Sequence, residues 1–168
     1  MKFSIIIFIF MFMKIGLSET IYIESYGENF FKSYEVSDNT VFRYVNANGI
    51  FTIDQINIRG VYDCDGIVEE INSTNKLNMI CKLIDEFKNV SYAKFERKDS
   101  ESLITQFNFL SGKGVIGKLA GEKCLGASYR FNIETLPSGH TKNKSFFKGK
   151  CDISNKKYNE VKNYKKPE

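Results

Sequence analysis

The stretch Leu103-Ile104-Thr105-Gln106-Phe107-Asn108-Phe109-Leu110 decides the fold class. In an extended chain successive side chains point to opposite faces. Leu103, Thr105, Phe107 and Phe109 therefore share one face, opposite Gln106 and Asn108. A helix would scatter those four residues around its circumference. Three further segments repeat the pattern. Residues 56–64 set Ile56, Ile58 and Tyr62 against Asn57, Arg59 and Asp63. Residues 77–84 set Met79, Cys81 and Leu83 against Asn78, Ile80 and Lys82. Residues 128–136 set Tyr129, Phe131 and Ile133 against Arg130, Asn132 and Glu134.

Weaker strands are read over residues 21–26, 41–45, 90–95, 115–119 and 146–151. Turn chemistry separates them at Asn48-Gly49, Asp65-Gly66, Ser111-Gly112-Lys113-Gly114, Ala120-Gly121 and Pro137-Ser138-Gly139. Short half-buried strands divided by such turns predict an all-β, antiparallel β-sandwich. Ile56, Ile58, Leu83, Phe107, Phe109, Phe131 and Ile133 are expected in its core. The only helix candidate, residues 83–89, is too short to stand alone.

The chain opens with Lys2 and then an apolar run from Phe3 to Met13, broken only by Ser4. One positive charge before a run of this length is the pattern of a secretory signal peptide. The run ends at Lys14, short of the ~20 residues a membrane span needs. Gly16 and Ser18 supply the small residues of a cleavage site. The expected cut follows Ser18 and removes residues 1–18. The mature chain then carries 22 basic and 20 acidic residues, a net charge of +2. That balance does not suggest a nucleic-acid partner, and no later stretch approaches membrane length.

One domain is expected over residues 19–153, with residues 19–53 as an N-terminal extension or extra strands. From Ser154 onward the chain is rich in Lys, Asn and Tyr without periodicity. Residues 154–168 are read as a disordered, solvated basic tail.

The four cysteines, Cys64, Cys81, Cys124 and Cys151, all lie in the mature part. An even count in a secreted chain predicts two disulfides. Three connectivities are possible; short loops favour Cys64–Cys81 with Cys124–Cys151. Glycosylation sequons begin at Asn72, Asn89 and Asn143.

Enzyme chemistry is thinly represented. His140 is the only histidine and follows Ser138-Gly139 in a turn. No Gly-x-Ser-x-Gly elbow accompanies it, and a zinc site has almost no ligands to draw on. Asp63-Cys64-Asp65-Gly66 begins like a calcium loop, but the twelfth position is Thr74, not Glu. Gly112-Lys113-Gly114 lacks the rest of a phosphate loop. Glu69-Glu70 and Asp85-Glu86 are sequence neighbours whose side chains point apart. No catalytic residue, metal site or cofactor is expected. The aromatics Phe87, Tyr92, Phe95, Tyr129, Phe131, Phe146 and Phe147 suit an apolar cavity or a contact patch, and more simply a core.

The order of several pieces resembles the transthyretin-like family of secreted nematode proteins. They are Gly60-Val61-Tyr62-Asp63-Cys64, Lys82-Leu83-Ile84-Asp85-Glu86, Lys98-Asp99-Ser100, Phe107-Asn108-Phe109-Leu110-Ser111-Gly112, Cys124, and Arg130 to Pro137. They cover residues 56–137. The chain departs from that pattern in its long stretch before residue 54, in Cys81, and in having no His-x-Cys before Cys124. The resemblance implies an extracellular β-sandwich, transthyretin- or immunoglobulin-like. It does not imply hydroxyisourate hydrolysis, because that chemistry uses several histidines and a C-terminal Tyr-Arg-Gly-Ser. The expected function is a secreted, non-enzymatic binding module for a small apolar ligand or an extracellular protein partner. The alternative is a secreted hydrolase or hydrolase inhibitor.

Overall fold

A computed structural model describes residues 18–72, 74–98 and 104–164. The expected signal peptide lies almost wholly outside them. The chain forms β1 (Ser18–Ser37), β2 (Thr40–Ile53), β3 (Ile58–Ile71), β4 (Thr74–Asp85), β5 (Val90–Arg97), β6 (Ile104–Gly112), β7 (Lys123–Thr135) and β8 (Thr141–Ser154). Two helices, α1 (Gly114–Gly117) and α2 (Asn155–Lys162), complete it.

The strands pair antiparallel in sequence order, and β1 returns to pair with β8, from Ser18 opposite Ser154 to Phe31 opposite Thr141. The expected antiparallel all-β class is present, but as one closed barrel and not two facing sheets. The difference lies in strand length. β1 runs for 20 residues and β2 for 14, longer than the sandwich reading allowed. Strands of that length can coil and close, which removes every sheet edge.

Two dipeptides read as turns, Asn48-Gly49 and Asp65-Gly66, lie inside β2 and β3. Gly49 stands opposite Gly27 of β1. A Cβ on Gly27 would collide with the Asn48 carbonyl and the Tyr62 hydroxyl, and one on Gly49 with the Tyr26 carbonyl. Paired glycines here let two strands approach and bend, the use of glycine at a barrel corner.

One end of the barrel is plugged. Ile21, Ile53, Ile58 and Ile153 fill its last layer and are almost fully buried. Below them sit Ile56 from the 3₁₀ turn Asp54–Ile56, Val115 and Ile116 from α1, Leu119, and Val161 from α2. The segment expected as a strand at residues 115–119 is thus a helical turn. The helix candidate at residues 83–89, too short to stand alone, is the end of β4 and a turn. That turn is held by buried Asp85, whose Oδ1 accepts from the Phe87 and Asn89 amides at 2.9 Å each.

Residues 154–162 are not a disordered tail. Ser154 caps α2, its Oγ accepting from the Lys157 amide at 3.3 Å. Lys157 Nζ donates to the Lys118 carbonyl at 3.0 Å. Buried Val161, Tyr158 packed against the core, and a cap dock a short helix whose other residues are polar.

Disulfides join Cys64 to Cys81 and Cys124 to Cys151. Each links directly opposed residues of neighbouring strands, β3 with β4 and β7 with β8. Ile56, Ile58, Leu83, Phe107 and Phe109 are buried as expected, whereas Phe131 and Ile133 are 37% and 67% exposed. β7 therefore faces the other way from the reading above. Gly126, Ser128 and Arg130 share the inward parity of buried Cys124, and a register irregularity with Asn132 at φ 50° follows. Tyr129 and Phe131 lie on the outer wall, where Phe131 packs against Tyr26 at 5.9 Å between ring centroids, whereas Ile133, past the irregularity, lines the cavity at the unplugged end.

Candidate functional site

The inward positions of the strands stack in layers along the barrel axis. Above the plugged end is an aromatic layer. Phe95 stacks on Phe107 with centroids 5.0 Å apart and planes 10° from parallel. Phe147 meets both rings edge-on at 5.6 and 5.5 Å, and Phe109 meets Phe107 edge-on at 6.0 Å. Small residues share the lining, Ala47 on β2 and Ala93 beside Phe109, with the Cys64–Cys81 bridge. Large rings mixed with small side chains leave a cavity of about 100 Å³, whose lining is mainly apolar. Phe95 and Phe147, two of the aromatics singled out in the sequence, line it. Phe87 packs against the core instead, and Tyr92 and Tyr129 face outward with Phe131.

A polar belt lies at the upper side of this cavity. The Tyr62 hydroxyl hydrogen-bonds Ser25, and burial pushes its phenol above the ordinary tyrosine range despite that bond. Asn29 Nδ2 donates to Asn143 Oδ1 at 2.7 Å, and Thr105 and Ser145 are buried nearby. Beside the belt Phe31, Val45 and Val68 form a small apolar cluster on the other side of the interior.

Beyond the belt is a second cavity of about 170 Å³ at the unplugged end, with Arg43, Arg97 and Arg130 in its wall. Each arginine is placed by strand parity. Arg43 precedes Val45 and Ala47 along β2, Arg97 follows Ala93 and Phe95 along β5, and Arg130 follows Ser128 along β7. Arg43 pairs with Glu70. Arg130 is exposed as a residue, yet its guanidinium lies 4.8 Å above the Phe31 ring. Burial, then the neighbouring charges of Arg97 and Arg43, hold the Arg130 pKa below the usual arginine value. Burial alone does the same to Arg97, whose Nε has no hydrogen-bond partner. Among the described residues, Glu70 is the only carboxylate ion-paired with the three guanidiniums.

The remaining sequence candidates are scattered. His140 lies in the β7–β8 connection, edge-on to Phe30 at 5.4 Å. Asp63 and Asp65 sit on the outer face of β3, where Asp65 accepts from Tyr44 and from Asn46. That bond to Tyr44 lowers the Asp65 pKa and raises that of Tyr44. The two aspartates form a cross-strand polar ladder, not a loop that wraps an ion. Among the described residues no three His, Cys, Asp or Glu side chains gather as metal ligands.

Of the sequon asparagines, Asn72 is exposed in the β3–β4 turn, and the Asn89 amide donates to Asp85 Oδ2 at 3.0 Å. Asn143 is 3% exposed and points into the barrel. The three arginines were not anticipated from the sequence, although each continues an inward-facing row. No family model, curated protein or solved structure matches this chain.

Proposed function

We propose that this chain is a secreted, non-enzymatic carrier that holds one small, largely apolar ligand inside its barrel. The observation that carries the reading is the cavity of about 100 Å³ among Phe95, Phe107, Phe147 and Met79. Eight strands enclose an interior that side chains can just fill, or that can hold one small ligand. Protein interiors otherwise leave few voids larger than a water molecule. At ~24 cal/mol per Å³, the scale found for cavities left by truncated core residues, such a void costs about 2.4 kcal/mol. A ligand that fills it recovers that energy and adds its own desolvation.

Secretion is supported by the N-terminal apolar run and the two disulfides. Pairing with β8 begins at Ser18 and Glu19, so a cut after Ser18 leaves the barrel intact. No described helix is long and apolar enough to cross a membrane. The outer wall carries the ion pairs Lys142–Glu28, Lys148–Glu24 and Lys94–Glu96. A lipid-facing barrel needs an uninterrupted apolar band ~25 Å tall, and these charges suit water instead.

The test is native mass spectrometry of protein purified from the secreting cells, followed by titration with 1-octanol. A retained small mass or saturable octanol binding is expected. The Ala93→Leu variant should lose binding without melting at a lower temperature. No retained mass and no octanol binding to the folded native protein would refute the carrier reading.

A further inference from the structure

Resting on that carrier reading, we infer that the ligand is an amphipathic anion, its negative head group held by Arg97 and Arg130 in the unplugged mouth and its apolar part below. Three guanidiniums converge on one small cavity, and one of them is neutralised by Glu70. Two positive charges remain in a partly desolvated site. An arrangement that leaves like charges facing each other is unfavourable unless something offsets it. Planar guanidiniums offer forked donors that match carboxylate, sulfate or phosphate oxygens. Arg97 has a buried donor with no partner, so a bound oxyanion would gain a hydrogen bond without displacing one.

The placement of the two cavities supports one continuous ligand. Arg97 is two residues beyond Phe95 on β5, and Arg130 two beyond Ser128 on β7; both of those residues line the apolar cavity. Consecutive inward positions on a strand lie ~6.6 Å apart, so a short chain with an anionic end spans both cavities. The Phe31 face under Arg130 steadies the guanidinium by a cation–π contact, at 4.8 Å, and fixes it in the mouth. The rings of Phe95, Phe107 and Phe147 below are apolar and would repel a charged group, which sets the ligand's orientation. Carboxylates, alkyl sulfates and phosphate monoesters share the required chemistry.

The experiment is calorimetric titration of the folded protein with octanoate, octyl sulfate and 1-octanol, each below its aggregation threshold. It is repeated on Arg97→Gln/Arg130→Gln, with circular dichroism melts to confirm folding. At least one anion should bind ~10-fold or more tightly than octanol, the effect of one or two charge-assisted hydrogen bonds. Which anion wins assigns the head group. The double variant should lose that preference while keeping its affinity for octanol. Octanol binding as tight as both anions would overturn this inference and leave the carrier reading standing. A preference that survives in the double variant would also overturn it. If none of the three binds, the carrier reading itself has failed.

Discussion

Removing the two disulfides separately should destabilise the barrel by similar amounts but open it in different places. Cys64 and Cys81 are separated by 17 residues, and Cys124 and Cys151 by 27. The loop-entropy relation gives about 3.1 kcal/mol for the first and about 3.6 kcal/mol for the second. Both are lower limits, because all four sulfurs are buried and Cys→Ala pairs also leave empty space. A chain of this size loses ~2–4 °C of melting temperature per kcal/mol. Cys64→Ala/Cys81→Ala should therefore melt about 6–12 °C lower, and Cys124→Ala/Cys151→Ala about 7–14 °C lower.

The distinguishing result is local. β6 and β7 share five register pairs, from Ile104 opposite Ala127 to Asn108 opposite Lys123, whereas β1 and β8 share fourteen. Cys124 lies within that short seam and ties β7 to β8. Loss of its bridge should speed amide hydrogen exchange in residues 104–108 and 123–127. Loss of the Cys64–Cys81 bridge should leave those amides protected. Equal exchange along the seam in the two variants, or a melting loss below about 2 °C in either, would refute the argument.

Phe107→Ala should cost ~3–5 kcal/mol in chemical denaturation, as for a buried aromatic, whereas Asn108→Ala should cost ~0.5 kcal/mol or less. Phe131→Ala, on the outer wall, should cost no more than ~1 kcal/mol; a loss equal to that of Phe107→Ala would put Phe131 in the core after all. Val161→Ala should lower stability by ~1–2 kcal/mol, since most of a buried valine's ~1.5–3 kcal/mol resides in the methyls removed, and limited proteolysis should then cut α2. Glycopeptide mapping of secreted protein should find sugar at Asn72 and none at Asn143, because a glycan there would have to occupy the barrel interior.

The strand pattern was legible wherever the inner face of a strand is uniformly apolar. Residues 77–84 and 104–110 gave the correct inward set, because Cys81, Leu83, Phe107 and Phe109 all join the same buried cluster, while Leu103 lies outside the described residues. Closure was not legible. A sandwich and a barrel both bury one face of each strand, so alternation is the same in either. The information that separates them lies in glycines inside strands, where Gly27 faces Gly49. Asn48-Gly49 and Asp65-Gly66 have turn composition, and only their pairing partners show that they are bends. In α2 the polar sequence masked a docked helix, since its docking rests on Val161, Tyr158, a cap and the contacts of Lys157.

β7 shows why the mouth stayed hidden. Hydrophobic alternation assumes that the inside of a domain is apolar and the outside polar. Near the unplugged end that assumption reverses. Ser128 and Arg130 face the interior, where the lining is polar and charged, and Tyr129 and Phe131 cover the wall. The misassigned strand therefore marks the unplugged end of the barrel. The same reversal is weaker in β2 and β5, where Arg43 and Arg97 each end a row of apolar inward residues. Taken singly, each arginine reads as an ordinary solvent-facing residue. What distinguishes them is that all three stand at the same end of an up-and-down barrel, a fact carried by strand direction. β2, β5 and β7 do not all run the same way, so Arg43 comes at the start of its strand, Arg97 at the end, and Arg130 past the middle. Their convergence follows from the topology and is invisible to any window of local sequence.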